Sequence, residues 1–346
     1  MHRKWFLFFL VFSTFLQAAE RRIALLIKPD FNGEISFAYR IQSACKNLDW
    51  AADVINIEEP DELSQNRYDF VINLVPGVYP RPNCANYLAV FNPAHHFFTR
   101  KRFLKKKYQS YDGYLLTSPL GCLRKRKSFL DQRRFPCMRW YPTVQKREFH
   151  LNPPKNLFYI CCWWGNRFEE VRFRELMSAL DQEPYMCFYG HPMFHRYYPK
   201  SYRGPIRYDG ESLYEVAGDA GVVLVIHSSD HNKRGLPSGR IFEAAASSVV
   251  IISDENQFVK THFGDSVLYI DTKQDAASML NQIRSHMAWI YVNPEKAMEK
   301  AKRAHAIFEE QFLLEAQLLR LEKFHEKISK RSKKTLYSRF YNLFTR

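Results

Sequence analysis

Gly235-Leu-Pro-Ser-Gly-Arg-Ile-Phe-Glu-Ala-Ala-Ala246, followed by the apolar run Val249 to Ser253 and then Asp254, is the stretch that decides the fold. Ser238 can cap the helix that follows, because its hydroxyl accepts an amide proton of the first helical turn. From Gly239 the pattern is helical to Ala246, and Val249 to Ser253 reads as a buried strand. Gly239 lets a ligand approach the backbone. The amides of such a helix start suit a phosphate, and Arg240 brings a forked cation to the same anion. Glu243 lies one turn on, on the face of Arg240, where a carboxylate can accept hydrogen bonds from a pair of sugar hydroxyls. The competing reading is a capping box in which Glu243 reaches back towards the cap.

Outward from this stretch, strands and helices alternate. Towards the N-terminus, Ile23 to Lys28 reads as a buried strand and Pro29 to Gly33 as a loop. Phe37, Ile41, Ala44, Cys45 and Leu48 then recur at helical spacing. Val54 to Ile57, Phe70 to Val75, Leu88 to Phe91 and Tyr114 to Thr117 read as further strands. Tyr141-Pro-Thr-Val144 and Asn152-Pro-Pro154 break the pattern, so a domain boundary is expected near residues 143–155. The alternation restarts with strands at Leu157 to Trp163, Tyr185 to Tyr189 and Gly221 to His227. Helices are expected at Phe168 to Leu180, Leu213 to Ala217, Ala276 to Trp289 and Pro294 to Lys327. Repeated strand–helix units predict an α/β fold with parallel sheets. The expected divisions are a leader over 1–19, domains over 20–145 and 155–300, and a helix with a basic tail over 301–346. Ligands of such sheets sit beyond the carboxyl ends of strands, here the loops after residues 28, 163, 189 and 227.

The 346 residues suit two domains, and 46% hydrophobic residues can build a sizeable core. The formal charge of +15 calls for an anionic partner. No zinc-finger spacing, RNP-like aromatic motif or heptad-plus-basic region is present, so nucleic acid ranks below a phosphorylated substrate or an anionic membrane surface. The basic residues cluster in Arg100-Lys-Arg102 with Lys105-Lys-Lys107, in Arg124-Lys-Arg-Lys127, and from Lys330 to Arg346, where Leu336, Tyr337, Phe340, Tyr341, Leu343 and Phe344 are interleaved. That mixture suits an interfacial membrane segment, or else a solvated tail. The seven cysteines include no C-x-x-C pair, which fits a reduced compartment. Against this, basic Met1 to Lys4, apolar Trp5 to Leu16 and Gln17-Ala-Ala19 have the layout of a signal peptide or of an uncleaved anchor.

The order Cys162-Trp-Trp-Gly165, Tyr189-Gly190, Tyr208-Asp-Gly210, Leu213-Tyr214, Gly235 to Glu243 and Ile252-Ser-Asp254 resembles the GT-B glycosyltransferases, in particular the CgeB-like group 1 transferases. The resemblance covers residues 157–290. It implies two Rossmann-like domains facing a cleft, with the nucleotide-sugar donor on the C-terminal one. It also implies that Glu243 holds the nucleotide ribose, and that Arg240 with the Gly239 amide holds the diphosphate. Gly165 and Arg167 would flank the phosphates, and the backbone near Tyr208 and Asp209 would face the base. Many retaining relatives carry two glutamates eight positions apart, and the earlier position here is Gly235.

No Asp-x-Asp occurs in the chain, so leaving-group stabilisation is expected from cations and helix amides, without a metal or other cofactor. Arg240, Arg167, Lys233 and Arg234 are the available cations. His227, ending a strand beside the cleft, is either a satisfied core-edge histidine or a donor contact. His95 and His96 follow Asn92-Pro93 at a strand end and are candidates to take the acceptor hydroxyl's proton, His96 as the base, with local packing as the other reading. Gly33 is either an acceptor-loop glycine or a turn glycine. The expected function is metal-independent transfer of a sugar from a nucleotide sugar to a membrane-proximal glycan, lipid or protein, at the cytoplasmic face. The alternative is a non-catalytic polyanion- or membrane-binding protein on a degenerate scaffold, exported by its leader. As a polar cleft residue, Glu243 is expected to matter for binding and little for stability.

Overall fold

A computed structural model describes residues 21–30, 32–59, 61, 63, 67–75, 84–92, 111–118, 136–161 and 170–344, without the side chains of 32 and 331–344. The expected α/β architecture is observed: two six-stranded sheets, parallel throughout. The first runs in the order β2-β1-β3-β4-β5-β6, from β1 (Arg22–Ile27), β2 (Ala51–Asn56), β3 (Phe70–Asn73), β4 (Ala85–Val90), β5 (Gly113–Leu116) and β6 (Cys137–Arg139). The second runs β12-β11-β10-β7-β8-β9, from β7 (Asn156–Ile160), β8 (Met186–Tyr189), β9 (Tyr202–Gly204), β10 (Gly221–Val225), β11 (Val250–Asp254) and β12 (Leu268–Ile270). The strand order reverses between β1 and β3 in one sheet and between β7 and β10 in the other. Crevices form at such reversals, at the carboxyl ends of the strands.

The central strands are near-continuous apolar runs because helices cover both sheet faces. All five residues of β10, Gly-Val-Val-Leu-Val, are buried, as are all five of β11. Helix α1 (Asn32–Lys46) lays Phe37, Ile41, Ala44 and Cys45 onto the first sheet. In the second domain, α2 (Val171–Leu180) and α7 (Ala276–Val292) cover one face. The other face takes α3 (Ser212–Ala220), α5 (Gly239–Ala246), α6 (Gln257–Phe263) and part of α8 (Pro294–Gln311). The short α4 (Ser229–Arg234) lies in the loop between β10 and α5.

Two expectations are corrected. Gly33 is not in a loop but in the first turn of α1. The helix read over Pro294 to Lys327 is two helices, α8 and α9 (Leu314–Phe344). The break falls at Phe312, whose ring is drawn into a cluster with Tyr141, Phe242, Phe258 and Phe263, at centroid distances of 5.7, 5.1, 5.5 and 5.9 Å. Beyond it α9 returns to the first domain, where Leu314, Leu318 and Leu321, at helical spacing, are buried with Phe37, Ile41 and Trp140. The two interdomain crossings are hydrogen-bonded together. Leu314 N donates to Val144 O at 2.9 Å, Tyr141 N to Gln317 Oε1 at 2.7 Å, and Lys146 N to Glu315 Oε1 at 2.9 Å.

Candidate functional site

The start of α5 is built as its sequence suggests. Ser238 is extended, and its hydroxyl accepts from Arg240 N at 3.3 Å. Gly239 is pressed against the linker between the domains, where an added Cβ would stand 3.1 Å from Pro142 O. The helix is therefore seated directly on the interdomain linker, and Phe242 behind it joins the Phe312 cluster.

Glu243 is where the structure departs most from the sequence reading. It is no open cleft residue: it is 5% exposed, between two guanidinium groups. Arg240 Nη1 donates to Oε2 at 2.6 Å, and Arg40 Nη1, from α1 of the other domain, lies 2.8 Å from Oε1. Burial alone would raise the carboxyl pKa, but Arg240 and Arg40 together hold it below the ordinary value, so the group is a carboxylate. The capping-box geometry is not adopted, since the carboxylate faces the two arginines. Arg40 escaped the sequence reading, although it shares the apolar face of α1 with Phe37 and Ala44. A lone arginine on such a face was the available signal.

Beside this pair a buried polar network bolts the loop from 228 to 238 onto the sheet. His227 follows β10 at the strand-order reversal. Its backbone N donates to Asp254 Oδ2 at 3.0 Å, and its Nδ1 lies 2.6 Å from Oδ1. Asn232 of α4 donates to Asp254 Oδ2 at 2.6 Å. Asn256 donates to Asn232 Oδ1 at 2.8 Å and to Leu236 O at 3.0 Å. Burial would raise the Asp254 carboxyl pKa, but His227 and Asn232 keep it below the usual carboxylate range. His227 is thus a core-edge residue held through Nδ1, while its Nε2 is buried without a hydrogen-bond partner.

The turn Tyr208–Gly210 opens α3. Asp209 Oδ1 accepts from Glu211 N at 2.9 Å and from Ser212 N at 2.8 Å, and Oδ2 from the Ser212 hydroxyl at 2.5 Å. Burial works against ionisation there, but these bonds and Arg207 hold the carboxyl down at about 2. The Asp209 side chain is therefore committed to starting the helix, while Tyr208 is half-buried. Gly210, at φ +81°, packs on α1: an added Cβ would lie 3.2 Å from Tyr39 Cβ and 3.3 Å from Arg40 N. Lys233 is exposed on α4 and acts electrostatically on Glu170.

The structure thus brings Ser238, Gly239, Arg240 and Glu243 together and links them to Arg40 and the Tyr208–Gly210 turn. Gly33 is exposed, with open space around it. His95, His96, Gly165 and Arg167 lie outside the described residues, as do the basic runs at 100–107 and 124–127 and residues 1–19, where a leader is expected. Among the described residues there is no group of three or more His, Cys, Asp or Glu that could hold a metal ion, and no helix is long and apolar enough to cross a membrane.

Comparison with known proteins fits this geometry. Residues 169–323 match the family described as Glycosyl transferase-like. A glycosyltransferase from Rickettsia africae ESF-5 superposes with a TM-score of 0.56 at 12% identity, over 90% of this chain and 99% of that one. Sucrose-phosphate synthase from Thermosynechococcus elongatus gives 0.58 at 12% identity, over 90% and 100%. Anabaena HepE, in complex with UDP and glucose, gives 0.54 at 8% identity, over 91% and 100%. No curated protein matches in sequence. The fold is the two-domain GT-B fold.

Proposed function

We propose that this chain is a group 1 glycosyltransferase that moves a sugar from a nucleoside-diphosphate sugar to a glycan or lipid acceptor at a membrane surface, a reading supported by the family match over residues 169–323. The observation that carries the donor half is the α5 start, where Ser238, Gly239, Arg240 and Glu243 share one helix end at the carboxyl edge of β10 and β11. In this reading Glu243 accepts from the ribose hydroxyls. The Gly239 amide and Arg240 meet the diphosphate, joined in this reading by Gly165 and Arg167, which follow β7 in the sequence. Tyr208 and the backbone at Asp209 face the base. That HepE holds UDP and glucose on a related fold supports the choice of donor class.

A departing nucleoside diphosphate gains negative charge, and a preorganised cation with helix amides stabilises it without reorganising. The reaction in this reading requires no metal. In this reading His96 takes the acceptor's proton and His95 contributes to acceptor binding, and the CgeB-like subtype belongs to the same proposal. The basic runs and tail favour an acceptor at an anionic surface, on the cytoplasmic face where nucleotide sugars are made. Calorimetric titration of the protein with UDP- and GDP-sugars tests it. Saturable binding of one nucleotide class is expected, and no binding of either removes the donor site and leaves a polyanion-binding protein on the same scaffold.

A further inference from the structure

We propose that Arg40 is a positioning residue for the donor: from the N-terminal domain it holds the Glu243 carboxylate in the orientation that reads the ribose, so that the donor site is complete only when the two domains face each other. This rests on the reading of Glu243 as the ribose acceptor.

Arg40 is 5% exposed, an unusual burial for an arginine unless it is paired. Its guanidinium is fixed from behind, with Nε donating to Ser36 O at 3.3 Å and the Phe37 ring 5.4 Å away. Its Nη1 stands 2.8 Å from Glu243 Oε1 as an ion pair without hydrogen-bond alignment. Arg240 occupies the other oxygen at 2.6 Å. An ionised carboxylate offers about four lone-pair sites over its two oxygens. With one cation at each oxygen, an acceptor site remains on each, which is the complement of a pair of vicinal hydroxyls. Arg40 therefore need not leave when a ribose arrives, and its work is to keep Oε1 from turning.

The second domain is shaped to receive this helix. Gly210 has no Cβ where Tyr39 and Arg40 pass, at 3.2 and 3.3 Å, and its φ of +81° is one that glycine adopts without strain. The same residue of α1 thus touches the Tyr208–Gly210 turn through its backbone and Glu243 through its side chain.

The test is the ratio of dissociation constants for 2′-deoxy-UDP over UDP, and for the corresponding GDP pair, measured by calorimetry on the full chain. Wild type is expected to prefer the ribonucleotide by about tenfold or more, the order expected when a hydrogen bond to a charged group is lost. In Arg40→Gln the ratio falls towards one because the carboxylate is no longer held. In Arg40→Lys, which keeps the charge but loses the Nε bond to Ser36 O that fixes the guanidinium, it falls by about threefold. If Arg40 is only interdomain packing, its loss weakens both nucleotides alike. An unchanged ratio in either variant that melts cooperatively overturns the role of Arg40 and leaves the donor reading intact. A wild-type ratio near one, with nucleotide bound, instead overturns the ribose assignment of Glu243 itself.

Discussion

His227 Nδ1 lies 2.6 Å from Asp254 Oδ1, and solvent reaches neither side chain. The two residues stand at the ends of adjacent strands, and Asp254 also holds Asn232 of the loop that leads to α5. Removing one partner of a buried pair leaves the other uncompensated and costs roughly 3–5 kcal/mol. Asp254→Ala is therefore expected to lower the urea unfolding free energy by about 3 kcal/mol. An unchanged midpoint would mean that the network does not brace the loop.

The same carboxylates set the acid limb of stability. Asp254 and Glu243 both have folded pKa values below their ordinary ones. A depressed folded value means that the unfolded chain binds protons first. The stabilisation is then complete above the unfolded carboxylate range of about 4 and is lost as pH falls through the depressed values. Unfolding midpoints followed from pH 7 to pH 2 should be flat in these groups until about pH 5 and then drop. Glu243→Gln should show a shallower drop than wild type.

The sequence made the long periodic elements readable: β10, α5 and β11 combine apolar runs with a serine cap and a glycine start. It hid β6, β9 and β12, because three residues such as Tyr202-Arg-Gly204 are too short to show a period. The break at Phe312 was equally hidden, since the aromatic cluster that stops the helix is tertiary. In the site, Arg240 and Glu243 were legible because they are three positions apart on one helix. Arg40 was not, because its partner lies in another domain and only the folded chain brings the two together.

That missed partner changes the outcome expected for Glu243→Ala. Read as an open cleft residue, Glu243 would affect binding alone. Buried between Arg40 and Arg240, its loss leaves Arg40 desolvated and unpaired, so stability should fall by about 3 kcal/mol as well. Glu243→Gln keeps the volume and some hydrogen bonding. It should lose about tenfold in nucleotide affinity with a smaller shift in melting temperature. Calorimetry and thermal unfolding of both variants check this, and wild-type affinity in Glu243→Gln would remove the carboxylate from the donor site.

If Arg240 and the amides at the start of α5 supply the positive potential at the leaving phosphate, as proposed, transfer activity with an identified donor should persist in EDTA. A rate that disappears with EDTA and returns with Mg²⁺ or Mn²⁺ would assign that task to a metal instead.

The C-terminal helix divides into a docked part and a basic part, and the two should separate by truncation. Leu314, Leu318 and Leu321 belong to the first domain's core, Phe324 lies 5.8 Å from the Tyr87 ring, and His325 Nδ1 meets the Tyr87 hydroxyl at 2.9 Å. Beyond them, Lys330 to Arg346 carries Lys330, Arg331, Lys333, Lys334, Arg339 and Arg346 with interleaved aromatics and no acidic residue. Each basic residue near an anionic bilayer contributes on the order of 1 kcal/mol, an attraction that salt screens. Protein lacking residues 1–19 should therefore co-sediment with anionic vesicles more than with neutral ones, and less as salt rises. Deleting Lys330 to Arg346 should weaken that binding and leave nucleotide affinity unchanged, because the docked turns remain. Deleting from Leu314 onward should instead unfold the first domain, since it strips three buried leucines from its core. Equal recovery on neutral and anionic vesicles would remove the electrostatic attraction. Loss of nucleotide binding on the shorter deletion would show that the tail supports the domain arrangement at Arg40 and Glu243.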